Sequence, residues 1–530
     1  MTGQGRLGWY LVDGLPYWLV DKLLRLHRER FPALSRCFAE NRIGAFQPLR
    51  PNCQTPASLA ALFSGSNSAE TWLSGFDQPD FSDPAMVRSK RAFGGLCGDV
   101  RLIWDWAAEA GMKVSLAHLP YVDRARLGSA LASYAYGFGP AVVAPAVFDC
   151  QEATALFGRD QLATIAKDRW GSLWVYRPAE RGQPDDRVRG LAKRCVIDGA
   201  EKLLFLGAWR VERSGLGQQP PGQPFMATGL QHWYRRGDLG PTLQQGGDGR
   251  AEALFVETLR LMAASFAEEW LSRFAAAPSG LVMTYQPALD LALHELAGYA
   301  APDCTHWTSE REAIVLPLLG DLVADVDRTM QQTMALMQPC DRMILTSDHG
   351  MTPVDLIVRP NVALAQDGLL ALDGDGRIDP AASLCFYHPA ENGLLCLNRN
   401  LVAERGTSEQ SVVAELAATL DRASGRDATV QSWPALEAVS GAPPWMSARY
   451  FLSGGRFVQV KADLAGPVAS PSLKTGEHIA TRDDMELAGT VIDLSPILAC
   501  DVPQMLDIVD VHRLLLPRPV AAPMRMAATA

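Results

Sequence analysis

Along the first 120 residues, short apolar runs alternate with segments of helical periodicity. Residues 7–12 form a compact apolar run that reads as a strand. Residues 19–30 carry apolar positions at helical spacing and are followed by Pro32. A helix opens at 58–63 after Pro56, another covers 102–109, and 113–117 after Gly111 reads as a strand. The stretch from 120 to 250 is less periodic and is broken by loops at 219–224 and 237–249, both rich in glycine or proline. Alternation then resumes with a helix at 251–274, a strand at 280–285, helices at 288–299 and 310–337, and a strand at 342–346. This order predicts an α/β/α sandwich on a mostly parallel central sheet.

Residues 361–470 have a different texture. Strand-like pieces at 394–397 and 457–460 surround an amphipathic helix at 408–423. We read them as a smaller α+β cap inserted into the core, whose first part is 1–360 and closing part 471–520. Residues 521–530 are small and read as a frayed, disordered tail.

Composition narrows the class. With 48% hydrophobic and 20% charged residues, the 530-residue chain can fill a large core. A net charge of -10 argues against binding a nucleic-acid polymer, although small anionic substrates remain possible where a metal inverts the local field. The run at 9–12 ends in Asp13 and reads as a strand, not a secretory segment. No stretch of about 18 apolar residues occurs, so no membrane span is expected. Ten cysteines lie scattered without C-x-x-C spacing, which suits reduced thiols and a cytoplasmic location.

Two motifs carry chemistry. Asp348 and His349 follow the apolar run 343–345, where a strand would deliver both to the edge of a sheet. Asp290 and His294 are spaced i,i+4, on one face of a helix. Carboxylate oxygen and imidazole nitrogen suit a divalent cation such as zinc, and two such pairs suggest the two-metal arrangement used in phosphoryl chemistry. Asp13 ends the first strand, either as a turn or capping residue or at the edge where ligand sites gather. Thr55 precedes Pro56, which makes it a natural helix N-cap and also places its hydroxyl where a phosphate would bind.

The order Asp13, Thr55, Asp290, His294, Asp348, His349, His478 resembles that of the alkaline phosphatase superfamily. It is most similar to the type I phosphodiesterase/nucleotide pyrophosphatase family. The stretches carrying the resemblance are 12–15, 54–56 with 62–65, 103–105, 290 with 294, 347–351 and 476–478. The resemblance implies that Asp13, Thr55, Asp348 and His349 hold one metal and Asp290, His294 and His478 another. It implies two divalent ions per chain, most simply zinc, with manganese, iron or magnesium as alternatives. It further implies that Thr55 attacks phosphorus to form a phosphothreonine, and that the substrate is a small phosphodiester or nucleotide.

There are departures. The family carries a phosphate-binding asparagine downstream of the threonine, and residues 75–78 here hold none, with only Asn67 nearby. Ile479 follows His478 where the family has glycine. No arginine stands closer to Thr55 than Arg50, which favours a diester over a doubly charged monoester. A phosphomonoesterase, a hydrolase of C–P bonds similar to phosphonoacetate hydrolase, and a non-catalytic binding protein are the alternative readings. A sulfatase is rejected because Cys53 lacks the following proline and arginine at the required spacing. A zinc-protease helix is rejected because Gly298 stands four residues after His294. His306 and His388 read as surface or packing residues.

Overall fold

The structure is a computed structural model. It describes residues 5–83, 85–96, 100–136, 144–177, 186–207, 212–214, 229–479, 485–497 and 502–516. The loop expected at 219–224 and the tail at 521–530 lie outside these residues.

The central sheet is built from β1 (Arg6–Val12), β2 (Ile43–Gln47), β3 (Val114–Ala117), β4 (Leu131–Tyr136), β5 (Glu212–Ser214), β6 (Gly280–Gln286), β7 (Arg342–Thr346), β8 (Gly489–Asp493) and β9 (Met505–Asp507). Their spatial order is β5-β4-β3-β6-β1-β7-β8-β2-β9. From β4 to β7 every neighbouring pair is parallel. β8 runs antiparallel between β7 and β2, so β2 points the same way as β7.

β1 shows why this is a doubly covered sheet. Tyr10 and Val12 join the core on one face, and Trp9 and Leu11 join the core on the other. An unbroken apolar run is what a strand buried on both faces requires. The first face is covered by α1 (Tyr17–His27), α4 (Arg250–Ala276), α5 (Ala288–Leu296) and α6 (Ser309–Leu336). The second is covered by α2 (Thr55–Ser64) and α3 (Ile103–Glu109). Aromatic pairs lock both layers. Tyr10 stacks on Trp270 at 5.4 Å, and Trp9 meets Phe63 edge-on at 5.6 Å.

The sandwich expected from the sequence is present, with differences. The antiparallel β8 and the strand β2 were not expected, because neither stands out from its surroundings by period. Within the stretch 120–250, Ala146–Asp149, Trp170–Arg177, Asp186–Ile197 and Ala200–Phe205 form a separate antiparallel sheet. Thr55 is not the cap of α2. Gln54 occupies that position and Thr55 is the first helical residue, which frees its hydroxyl from capping.

A third sheet is made by Cys385–Tyr387, Leu394–Asn398, Met446–Ser453 and Thr429–Ser432, and has its own apolar core with the helix Glu409–Ser424. The strand Thr352–Val358 leads from the central sheet towards it. The short strand Gly476–Glu477 leads back and pairs with Thr352 and Pro353. Among the described residues, no helix is long and apolar enough to cross a membrane.

At the far edge of the sheet, Arg6 is almost wholly buried and donates through Nε and Nη2 to Asp341 Oδ2 at 3.0 and 2.6 Å. Its guanidinium also donates to the Phe274 carbonyl and lies over the Phe274 ring. Removing one partner strands a buried charge. Arg6→Ala should therefore cost about 3–5 kcal/mol in denaturant unfolding. A loss below about 1 kcal/mol would show that the pair behaves like an exposed one.

Candidate metal centre

Three adjacent parallel strands, β6, β1 and β7, end at one edge, and each is followed by acidic residues. Val12 pairs with Gln286, and Leu11 pairs with Thr346. Asp13 follows β1, Asp348 and His349 follow β7, and α5 follows β6 carrying Asp290 and His294. Backbone bonds run past the strand ends. Asp13 N–H donates to Gln286 O at 2.9 Å, and Asp290 N–H to Asp13 O at 3.1 Å. Gly14 has φ +66°, and a Cβ there would lie 2.9 Å from the Asp290 Cα. Only glycine lets these two segments approach so closely.

In the first triad each carboxylate has one oxygen satisfied by protein and one left over. Asp348 Oδ1 accepts the Gly14 and His349 backbone N–H groups, each at 3.1 Å. Asp13 Oδ2 accepts the Tyr285 hydroxyl. Asp348 Oδ2 and Asp13 Oδ1 are buried and make no hydrogen bond. Both face His349 Nε2, at 3.2 and 3.3 Å. His349 Nδ1 donates to the Gly350 carbonyl at 2.8 Å, which keeps Nε2 turned to the two carboxylates. Thr55 Oγ1 lies 3.2 Å from the same Nε2. Two bare carboxylate oxygens, an imidazole nitrogen and a hydroxyl thus meet at one place, an arrangement suited to a cation.

The second triad repeats the pattern. His294 Nδ1 meets the Gly476 carbonyl at 2.9 Å, which turns its Nε2 inward. His294 Nε2 and His478 Nε2 each lie 3.5 Å from Asp290 Oδ1, another buried oxygen without a hydrogen bond. Within each triad the ligand atoms lie within 4.8 Å of one another. The triads are neighbours, because the His349 and His478 rings stack with centroids 3.7 Å apart. His478 is held from both sides. It follows the strand Gly476–Glu477, and its carbonyl accepts the Cys53 thiol at 3.0 Å.

The electrostatics agree with a missing positive charge. Burial, with Asp348 alongside, pushes the Asp13 carboxyl well above the usual range. Burial and then Asp13 do the same to Asp290, and burial raises Asp348 to about 7. Burial and then Lys474 hold His294 down to about 3, and burial with His349 keeps His478 neutral as well. Acids that favour their protons and imidazoles that refuse them are what a cation would displace and bind.

Every residue proposed from the sequence is therefore in the cluster: Asp13, Thr55, Asp348 and His349 together, and Asp290, His294 and His478 together. Asn67 is not there, being an exposed cap of the short helix Ser68–Thr71. Asp105 closes the N-terminus of α3 and pairs with Arg126. His388 is fully buried between the Phe81 and Phe386 rings, and His306 packs on Tyr299. Sequence reasoning missed Tyr285, the hydroxyl that fixes Asp13. Its place at the end of β6, one strand from Asp13, was the available signal. Beside the site, Tyr121 donates to the Pro56 carbonyl at 3.0 Å. It also lines a cavity of about 460 Å³ with Phe93, Leu119, Asp123, Arg126 and Tyr134.

Residues 219–438 match the model of a family described as type I phosphodiesterase/nucleotide pyrophosphatase. That span contains Asp290, His294, Asp348 and His349. No curated protein matches the chain in sequence. Among solved structures, murine ectonucleotide pyrophosphatase/phosphodiesterase 5 aligns over 96% of this chain and 94% of its own, at 13% identity and a TM-score of 0.45. Phosphonoacetate hydrolase from Sinorhizobium meliloti, in complex with phosphonoacetate, aligns over 97% and 95%, at 12% identity and a TM-score of 0.46. Wild-type alkaline phosphatase PafA aligns over 97% and 96%, at 11% identity and a TM-score of 0.46. The family match bears out the resemblance read from the sequence and supports a phosphohydrolase of the phosphodiesterase/pyrophosphatase type.

A pH dependence follows from the raised carboxyls. Asp348 rises from 3.8 to about 7 on folding, so between those values the metal-free fold holds a proton that the unfolded chain releases. Stability of the metal-free protein should fall as pH rises through that interval, and affinity for zinc should rise. Melting curves with and without zinc across the interval test this. A gap between the two curves that did not widen with pH would contradict it.

Proposed function

We propose that the chain is a metal-dependent phosphoric ester hydrolase that cleaves a phosphodiester or nucleotide pyrophosphate bond, with Thr55 as nucleophile. The observation that carries this reading is the convergence of two buried ligand triads beside one helix-terminal hydroxyl. Asp13, Asp348, His349 and Thr55 would hold one divalent cation and Asp290, His294 and His478 the other. Zinc is the ion this mixed imidazole–carboxylate set favours. Cations held there supply positive charge to the attacking, leaving and non-bridging oxygens of a phosphoryl group.

The chain's own residues do the rest. Thr55, at the N-terminus of α2, presents Oγ1 to phosphorus, and the first-turn N–H groups favour the negative oxygens. The Thr55 Oγ–P bond forms as the bond to the leaving oxygen breaks, and the hydroxyl gives up its proton as the leaving oxygen takes one up, giving a phosphothreonine. Water then attacks phosphorus, the Oγ–P bond breaks and Thr55 regains its proton. Gly350 and Gly476 carbonyls and the Tyr285 hydroxyl keep the ligand atoms aimed throughout. The cavity past Tyr121, whose hydroxyl bonds to the Pro56 carbonyl, would receive the organic part of the substrate.

A diester is favoured by the pairing of nearby cations. Lys474 lies 3.7 Å from Glu477, and Arg235 is paired with Glu295. Neither is left over for the second charge of a monoester. Hydrolysis of bis-p-nitrophenyl phosphate should exceed that of p-nitrophenyl phosphate, vanish with EDTA and return with zinc. A monoester preference would move the protein to the phosphatases, and turnover of phosphonoacetate alone to the C–P hydrolases. Thr55→Ala should lower kcat about a thousandfold or more while metal content stays constant. Unchanged turnover in that variant would remove Thr55 as the nucleophile.

A further inference from the structure

Each carboxylate of the first triad has one oxygen committed to the protein. Asp348 Oδ1 accepts the Gly14 and His349 backbone N–H groups, and Asp13 Oδ2 accepts the Tyr285 hydroxyl. The oxygens left bare are Asp348 Oδ2 and Asp13 Oδ1. A carboxylate held in this way offers a cation one oxygen, because the other is already bonded. With His349 Nε2 and Thr55 Oγ1, the first triad presents four single ligand atoms. Four single atoms match an ion that favours four ligands, as zinc does. Manganese, magnesium and calcium favour six or more, mainly oxygens.

The two commitments differ in kind. Asp348 is held by backbone, whereas Asp13 is held by one side chain. Tyr285 pairs with Leu11 across β6 and β1, and Asp13 stands two residues beyond Leu11, on the same face. The Tyr285 side chain packs in the core beneath α2 and α3 and is 6% exposed. Burial, and then the Asp13 charge, keeps the phenol protonated, so its hydroxyl donates and Asp13 Oδ2 accepts. The second triad has no such hold on its carboxylate. Asp290 Oδ1 is bare, and no hydrogen bond fixes its other oxygen among the described residues.

We infer that Tyr285 sets the ion preference of the first triad. By occupying Asp13 Oδ2 it confines Asp13 to one ligand oxygen, which favours a four-coordinate ion such as zinc over a six-coordinate ion such as manganese. Tyr285 is a positioning residue that acts through Asp13 and is not itself a ligand. The inference rests on the reading of the two triads as cation sites.

Tyr285→Phe keeps the ring and removes the hydroxyl. Crystals of wild type and variant would be equilibrated with the same mixture of zinc and excess manganese, and anomalous scattering at the two absorption edges would give the occupancy of each ion at each triad. The manganese-to-zinc ratio at the first triad should rise about tenfold in Tyr285→Phe and stay constant at the second. A purely structural role would weaken both ions alike and leave the ratio unchanged. Tyr285→Leu, which also loses the ring, should show the same change in ratio with an added loss of thermal stability. Ions bound at the first triad in an unchanged ratio, or a ratio that shifts equally at both triads, would overturn the inference alone. No ion at the first triad of the wild type would overturn it together with the metal centre of the proposed function.

Discussion

Three carboxylates, Asp13, Asp290 and Asp348, are buried within one small volume, and the surrounding structure is arranged around that fact. Buried acids at such spacing repel each other and lose hydration, which is why all three favour their protons. Among the described residues, no lysine or arginine forms an ion pair with these three carboxylates, and Lys474 acts on Asp290 only from a distance. It satisfies one oxygen of Asp13 and of Asp348 with protein donors and leaves the other bare. Imidazoles held through Nδ1 by backbone carbonyls then turn Nε2 towards bare carboxylate oxygens, His349 to Asp13 and Asp348 and His294 to Asp290. A site built in this way is suited to added positive charge.

The sheet makes the crowding possible. Parallel neighbours β6, β1 and β7 terminate together, so residues distant in sequence arrive at one edge. That edge is also where ligand sites gather in open α/β sheets. Gly14 lets the Asp13 turn press on α5, and the Gly476–Glu477 return strand sets His478 against His349. The links to the third sheet leave and re-enter beside these ligands. Movement of that sheet would therefore be felt directly at Asp348, His349 and His478.

Much of this was legible in the sequence. The apolar run of β1 announced a strand, and the i,i+4 pair Asp290/His294 and the string 347–351 announced side chains that the fold brings together. What was hidden was hidden for physical reasons. β2 and β8 are short and mixed, and their antiparallel pairing leaves no mark in local periodicity. Proline after Thr55 suggested a cap, whereas the cap falls one residue earlier, at Gln54, and Thr55 as the first helical residue turns its hydroxyl to His349. Tyr285 meets Asp13 through a contact that no spacing rule anticipates.

The central claim is that the two triads are two separate cation sites. Anomalous diffraction from crystals grown with zinc tests it most directly. The account predicts two peaks per chain, one among Asp13, Asp348 and His349 and one among Asp290, His294 and His478. A single peak shared between the triads, or none at saturating zinc, would contradict it.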